Sequence, residues 1–298
     1  MKIIDAHIHF SKAEGFTRDA LAAGHENTAP HIAETFRENN IAMGIVMGAG
    51  AGEDGRNGLS APPMLHDLNG IPGTDSYHAE PFISYCCGVQ SELLTKENTK
   101  ASLEMFEHHL RRPECVGIKM YPGYNHVWLH DPRHAPFYDL ARSYDVPVVI
   151  HTGDTASSRA LLKYAHPLTV DEVAVKFPEV RFIMAHCGNP WIVDAVEVAA
   201  KNPNVSLDLS GLAEGFFTAE WYCSHFRGYL EHLRTWLTYL DHYEKVLYGS
   251  DWPLVHIPSY IQVISSVIPE KHREDVFFFN ALRHFPKLRE LLSSESAE

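Results

Sequence analysis

Histidines and one aspartate, standing at the ends of short apolar runs, are the side chains of this sequence best placed to do chemistry. His7 and His9, in Asp5-Ala6-His7-Ile8-His9, follow the apolar pair Ile3-Ile4. In a strand, residues two apart point to the same side, so the two imidazoles can meet at one point. Val148-Val149-Ile150-His151 and Phe182-Ile183-Met184-Ala185-His186 each end an apolar run on a histidine. Lys245-Val246-Leu247 leads into Tyr248-Gly249-Ser250-Asp251-Trp252-Pro253. Such a set of nitrogen and oxygen donors suits zinc or another first-row divalent ion. Each member also has a bland alternative: His7 and His9 could be surface residues of an edge strand, and Asp251 could cap the segment after it. The recurrence at several strand ends favours the metal, and the Trp-Pro after Asp251 favours a fixed, non-helical turn.

Eight runs read as strands, at roughly 2–9, 41–48, 82–88, 115–121, 146–151, 180–186, 204–209 and 245–250, with helical periodicity between them. Residues 31–39 and 136–144 carry apolar stripes, and 191–200 and 259–267 are further amphipathic stretches. Thr169-Val170-Asp171-Glu172 has the form of a capping box, with Thr169 as N-cap of a helix ending before Pro178. Residues 219–243 fit one long helix or two. Eight strand–helix units of about 37 residues favour a closed, parallel (β/α)8 TIM barrel over the runner-up, an open doubly wound sheet. Closure alone brings strands one, five, six and eight around a common mouth. One domain, 1–298, is expected.

Residues 48–81 are rich in Gly and Pro and contain Gly50-Ala51-Gly52-Glu53-Asp54-Gly55, a GxGxxG match. A dinucleotide site needs a helix to open there, and Arg56-Asn57-Gly58-Leu59-Ser60-Ala61-Pro62-Pro63 cannot supply one. A loop or lid at the barrel mouth is the better expectation.

The chain has 298 residues, 45% apolar and 21% charged, with a net charge of −13 that argues against a nucleic-acid partner. Its 20 histidines raise the prospect of metal without identifying ligands. Five cysteines (Cys86, Cys87, Cys115, Cys187, Cys223), with no CxxC pair, read as buried thiols in a reducing compartment. No run approaches the ~18 apolar residues that span a bilayer, and the first residues lack a signal-peptide pattern. A cytoplasmic protein is expected; self-association into a homo-oligomer is left open.

Taken together, His7-Ile8-His9, His151-Thr152-Gly153, Ala185-His186-Cys187-Gly188 and Gly249-Ser250-Asp251-Trp252-Pro253 resemble the amidohydrolase superfamily. The resemblance is narrower to its amidohydrolase-related branch, which holds metal-dependent hydrolases and non-oxidative decarboxylases related to aminocarboxymuconate-semialdehyde decarboxylase. It runs from Asp5 to about Phe285, where Asn280-Ala281-Leu282-Arg283-His284-Phe285 is similar to the branch's closing helix. The resemblance implies that His7, His9, His151 and Asp251 bind one divalent ion, zinc before manganese. It places His186 beside the ion as electrophile or proton shuttle, with Asp251 managing the proton. Lys119, ending strand four, stands where binuclear members of the superfamily carry a carboxylated lysine that bridges a second metal. Its other reading is a lysine that pairs with a substrate carboxylate or with a nearby acid.

Tyr121, Asp154, Arg159 and Trp252 are candidate substrate contacts, and His166 and Asp208 are lesser candidates. Phe277-Phe278-Phe279 is expected in the core. The expected function is hydrolysis of a small, anionic ester, lactone or amide. The alternatives are decarboxylation of a small unsaturated or aromatic acid, and metal binding without catalysis. The anionic preference rests on Lys119 and Arg159 as cations at the mouth.

Overall fold

The computed structural model describes residues 1–10, 14–48 and 80–294. The GxGxxG match at 50–55 and the lid expected over most of 48–81 lie outside the described residues. Eight strands, β1 (Ile3–Ile8), β2 (Ile41–Met47), β3 (Ile83–Val89), β4 (Cys115–Met120), β5 (Val148–Ile150), β6 (Phe182–Met184), β7 (Val205–Asp208) and β8 (Val246–Leu247), pair in sequence order. Every neighbouring pair is parallel. The last strand returns to the first through Ala6 N–H to Tyr248 O, 3.0 Å, and His9 N–H to Trp252 O. This is the expected TIM barrel.

The strands are mostly apolar because a barrel buries both of their faces, and their few polar residues, such as Asp5, His7, Lys119 and Asp208, are buried with them. Ile4, Ala6, Met43, Ile45, Met47, Cys86, Val116, Val149, Ile183 and Leu247 form one buried cluster, drawn from seven strands and packed against Ala281, Phe285 and Leu288. The larger cluster fills the layer between strands and helices. Burial of these two layers is the main driving force for the fold.

β5, β6 and β8 are shorter than the apolar runs suggested, so His151, His186 and Asp251 sit just past strand ends, where the backbone is free to turn. The capping box does not form. The helix begins at Leu168, with Pro167 before it, and the Thr169 hydroxyl donates to His166 O at 2.7 Å. Proline, with φ already helical, opens the turn ahead of the threonine. Residues 219–243 hold two helices, Ala219–His225 and Arg227–Leu240. Phe277 is buried, but Phe279 is 48% exposed, so the triple phenylalanine is only partly core. Cys223 is half-buried; the other four cysteines are buried, and all five are free thiols. No helix among the described residues is long and apolar enough to cross a membrane.

Candidate metal centre

A β-bulge sets the first two donors. Three steps of β1 (Asp5 to Ile8) are matched by two of β2 (Gly44 to Val46), which lets His7 face the interior with Ala6. Asp5 pins this irregular stretch to the opposite end of the chain, accepting the backbone N–H of Ser250 at 2.8 Å and of His7 at 3.4 Å. The Asp251 N–H then donates to His7 O at 2.8 Å. These bonds bring residues 244 apart in sequence to one place.

His7 Nε2 lies 3.6 Å and His9 Nε2 3.2 Å from the same oxygen, Asp251 Oδ1. His186 Nδ1 lies 3.9 Å from Asp251 Oδ2, and His186 Nε2 lies 3.1 Å from His151 Nδ1. The His7 and His186 rings are 4.9 Å apart, the His151 and His186 rings 4.8 Å. His7, His9 and Asp251 form one group whose donor atoms all lie within 4.8 Å of one another; His7, His186 and Asp208 form a second. We assign Asp208 to the support of the centre, because its oxygens are taken up by His7 Nδ1 (2.9 Å) and the backbone N–H groups of His186 (3.0 Å) and Ser210 (3.0 Å). A carboxylate behind a ring nitrogen fixes the tautomer and raises the basicity of the other nitrogen.

Burial pushes the His7 imidazole down to about 4, Lys119 adds to this, and Asp208 and Asp251 oppose it. Burial, then His186 and Lys119, lower His151 well below the ordinary histidine range. Burial likewise lowers His186. The rings are therefore neutral at pH 7, the form that binds metal. Burial alone would raise the Asp251 carboxyl, but the surrounding His9, His7 and His186 more than offset it and hold it well below the usual carboxylate range. His7 Nε2 is buried without a hydrogen-bond partner. An orphaned acceptor amid three further imidazoles and a carboxylate fits a divalent ion.

Lys119 is fully buried, with no hydrogen bond to Nζ; burial lowers its ammonium to about 8 against the pull of Asp208 and Asp251. Its Nζ lies 5.1 Å from the Tyr121 ring, and the Tyr121 hydroxyl is also buried without a partner. The Tyr121 ring lies nearly parallel to that of His151 at 5.9 Å. The structure thus brings Lys119 and Tyr121 to the centre.

Other candidates are placed differently. Arg159 is exposed, and its carbonyl accepts from His126 Nε2 at 2.9 Å. Asp154 is exposed and reaches the centre only through its carbonyl, which accepts from His151 Nε2 at 2.8 Å; its carboxylate caps Thr155 N–H. Trp252 is fully buried with its ring on His25, 4.5 Å away, and His31, 6.0 Å away, so it packs behind the turn rather than facing a substrate. His166 sits beside Trp191 and Asp194. Ser210, Gly211 and Asp5 carry no signal as single residues; Asp208-Leu209-Ser210-Gly211 after a strand was the only trace of the first two.

A family model described as amidohydrolase matches residues 73–287. The chain belongs to the amidohydrolase family. The matched segment contains Lys119, His151, His186, Asp208 and Asp251, while His7 and His9 precede it. Among curated proteins, none matches. Solved structures of the same fold include an uncharacterised TIM-barrel protein from Bordetella bronchiseptica (17% identity, 96% of this chain and 99% of that one, TM-score 0.64). A probable 2-pyrone-4,6-dicarboxylic acid hydrolase from Acinetobacter baumannii, with citric acid bound, is 16% identical over 96% of this chain and 100% of that one (TM-score 0.59). A 2,6-dihydroxybenzoate decarboxylase is 13% identical over 96% and 99% (TM-score 0.61). At such identity these neighbours share the barrel fold, and nothing finer is carried over.

Proposed function

We propose that this chain is a metal-dependent hydrolase of a small anionic ester, lactone or amide. The observation that carries the reading is the convergence of His7 Nε2 and His9 Nε2 on one oxygen of Asp251, beside the facing nitrogens of His151 and His186. His7, His9, His151 and Asp251 would hold one divalent ion, zinc or manganese. Such an ion supplies Lewis-acid polarisation of the substrate carbonyl and a water more acidic than bulk water. Asp251, ionised at neutral pH, takes the proton of the attacking water and returns it to the leaving group. Lys119 and Tyr121, buried and without hydrogen-bond partners at Nζ and the hydroxyl, bind the anionic group of the substrate and exclude water around it.

A second reading, non-oxidative decarboxylation of an aromatic or unsaturated acid, uses the same residues, with Asp251 or His186 delivering a proton to carbon. Its support is the buried Lys119 ammonium, which can hold a carboxylate, together with a decarboxylase among the structures of this fold. Elemental analysis of purified protein should find about one divalent ion per chain; two would assign Lys119 to a carboxylated bridge, and full activity without metal would sink the centre. A paired screen, pH change on anionic lactones and esters and released carbon dioxide on aromatic acids, decides the reaction. Carbon dioxide without hydrolytic turnover would reverse the ranking.

A further inference from the structure

The hydrogen bonds behind the centre fix where each imidazole carries its hydrogen. Asp208 Oδ1 accepts the backbone N–H groups of His186 and Ser210, both at 3.0 Å, and is also in close contact with the Ser210 hydroxyl. A carboxylate oxygen cannot donate, so the single hydroxyl hydrogen of Ser210 lies toward Asp208. Ser210 Oγ then has only lone pairs to offer His186 Nδ1, 3.0 Å away. The Ser210 carbonyl, 3.2 Å from the same nitrogen, is likewise an acceptor. His186 Nδ1 faces two acceptors and nothing that donates.

We propose that Ser210 is a positioning residue: by donating to Asp208 it obliges His186 to carry its hydrogen on Nδ1 and to present a bare Nε2 beside the bare Nδ1 of His151. The His151 tautomer follows in the same way, since its Nε2 lies 2.8 Å from the Asp154 carbonyl and must donate to it. Two nitrogen lone pairs 3.1 Å apart repel unless a cation lies between or beside them. His186 Nε2 therefore enters the reaction as a lone-pair donor, able to ligate or to take up a proton, and delivers one only after it has taken it up.

The consequence for metal affinity rests on the proposed metal centre, whereas the tautomer does not, and one set of measurements separates the two. Full-length protein labelled with 15N-histidine is read by long-range 1H–15N correlation, as purified and after a chelator. The expected result is hydrogen on Nδ1 and none on Nε2 of His186 in both samples. Zinc titration of Ser210→Ala should show affinity reduced about tenfold, with some His186 shifted to the Nε2–H form, as for loss of other outer-shell partners. Ser210→Thr, which keeps the hydroxyl, should restore both. Hydrogen on Nε2 of His186 in the wild type overturns the proposal, and so does Ser210→Ala with wild-type tautomer and zinc affinity. Wild-type protein that takes up no zinc would sink the metal centre, while the tautomer spectrum would still decide the role of Ser210.

Discussion

At the scale of single residues, the proposed chemistry turns on a division of labour between two aspartates. Asp208 is saturated by His7, Ser210 and the His186 backbone and acts through the groups it orients. Asp251 has the His7 and His9 rings at 3.6 and 3.2 Å and is the carboxylate able to handle a proton. Asp251→Asn should therefore keep the fold and much of the metal, since the histidines remain, yet lower kcat by roughly 100-fold to 10,000-fold, the range for loss of a general base. Steady-state kinetics with a metal assay on the same sample checks this. A variant within tenfold of wild type would shift proton handling to His186.

At the scale of elements, His186 and Asp251 sit on sharp turns just past their strands. His186, Cys187 and Asp251 have φ of 61°, 48° and 66°, a left-handed conformation that non-glycine residues adopt rarely and that clusters at functional sites. The turn after β7 makes room for them. Gly211 has φ +62°, and a Cβ there would lie 2.7 Å from His186 Nδ1 and 2.8 Å from Asp251 Oδ2. Gly211→Ala should thus cost about 1–2 kcal/mol of backbone strain and displace both side chains. Activity should fall roughly 100-fold, the penalty for a misplacement near 1 Å. Gly228→Ala, in the helix Arg227–Leu240 with nothing within 4 Å of the added methyl, is the control and should leave activity unchanged. Equal effects of the two substitutions would remove the turn after β7 from the catalytic geometry.

At the scale of the whole molecule, neutral buried histidines tie stability to pH. Burial, with His256 and His31, pushes His25 down to about 4, and burial pushes His134 down to about 4 as well. In the unfolded chain both titrate near 6.5, so between 6.5 and 4 the unfolded state binds more protons and stability falls as pH drops. Asp5 works the other way. Burial raises its carboxyl to about 7, so in this window the folded state holds one proton more. These two histidines by themselves outweigh it by about one proton, or roughly 1.4 kcal/mol per pH unit, and His7 and His284, also lowered to about 4 by burial, steepen the slope in the same direction. Urea unfolding of chelator-treated protein should show a midpoint that declines steadily from pH 6.5 to 4. A flat profile would mean that these rings are solvated.

What the sequence determined by itself was the barrel, and the placing near strand ends of the side chains proposed as donors. Parallel strands buried on both faces must be largely apolar, and the eight runs were visible for that reason, as were the histidines and the aspartate near their ends. Lys119 and Tyr121 stood out on the same logic of strand ends. Strand lengths, the start of the helix at Leu168 and the exposure of Phe279 were not legible, because hydrogen bonding and packing between elements distant in sequence set them. The same holds for the groups that orient the centre. Asp5 matters because β8 returns to β1, and Ser210 and Gly211 matter because β7 lies beside β6 and β8. Trp252 shows the converse: a residue type suited to substrate binding, near the right strand end, was carried by the tertiary structure behind the turn. Contacts between residues hundreds of positions apart exist only once the barrel closes, and no local pattern of side chains encodes which donor will face which acceptor across it.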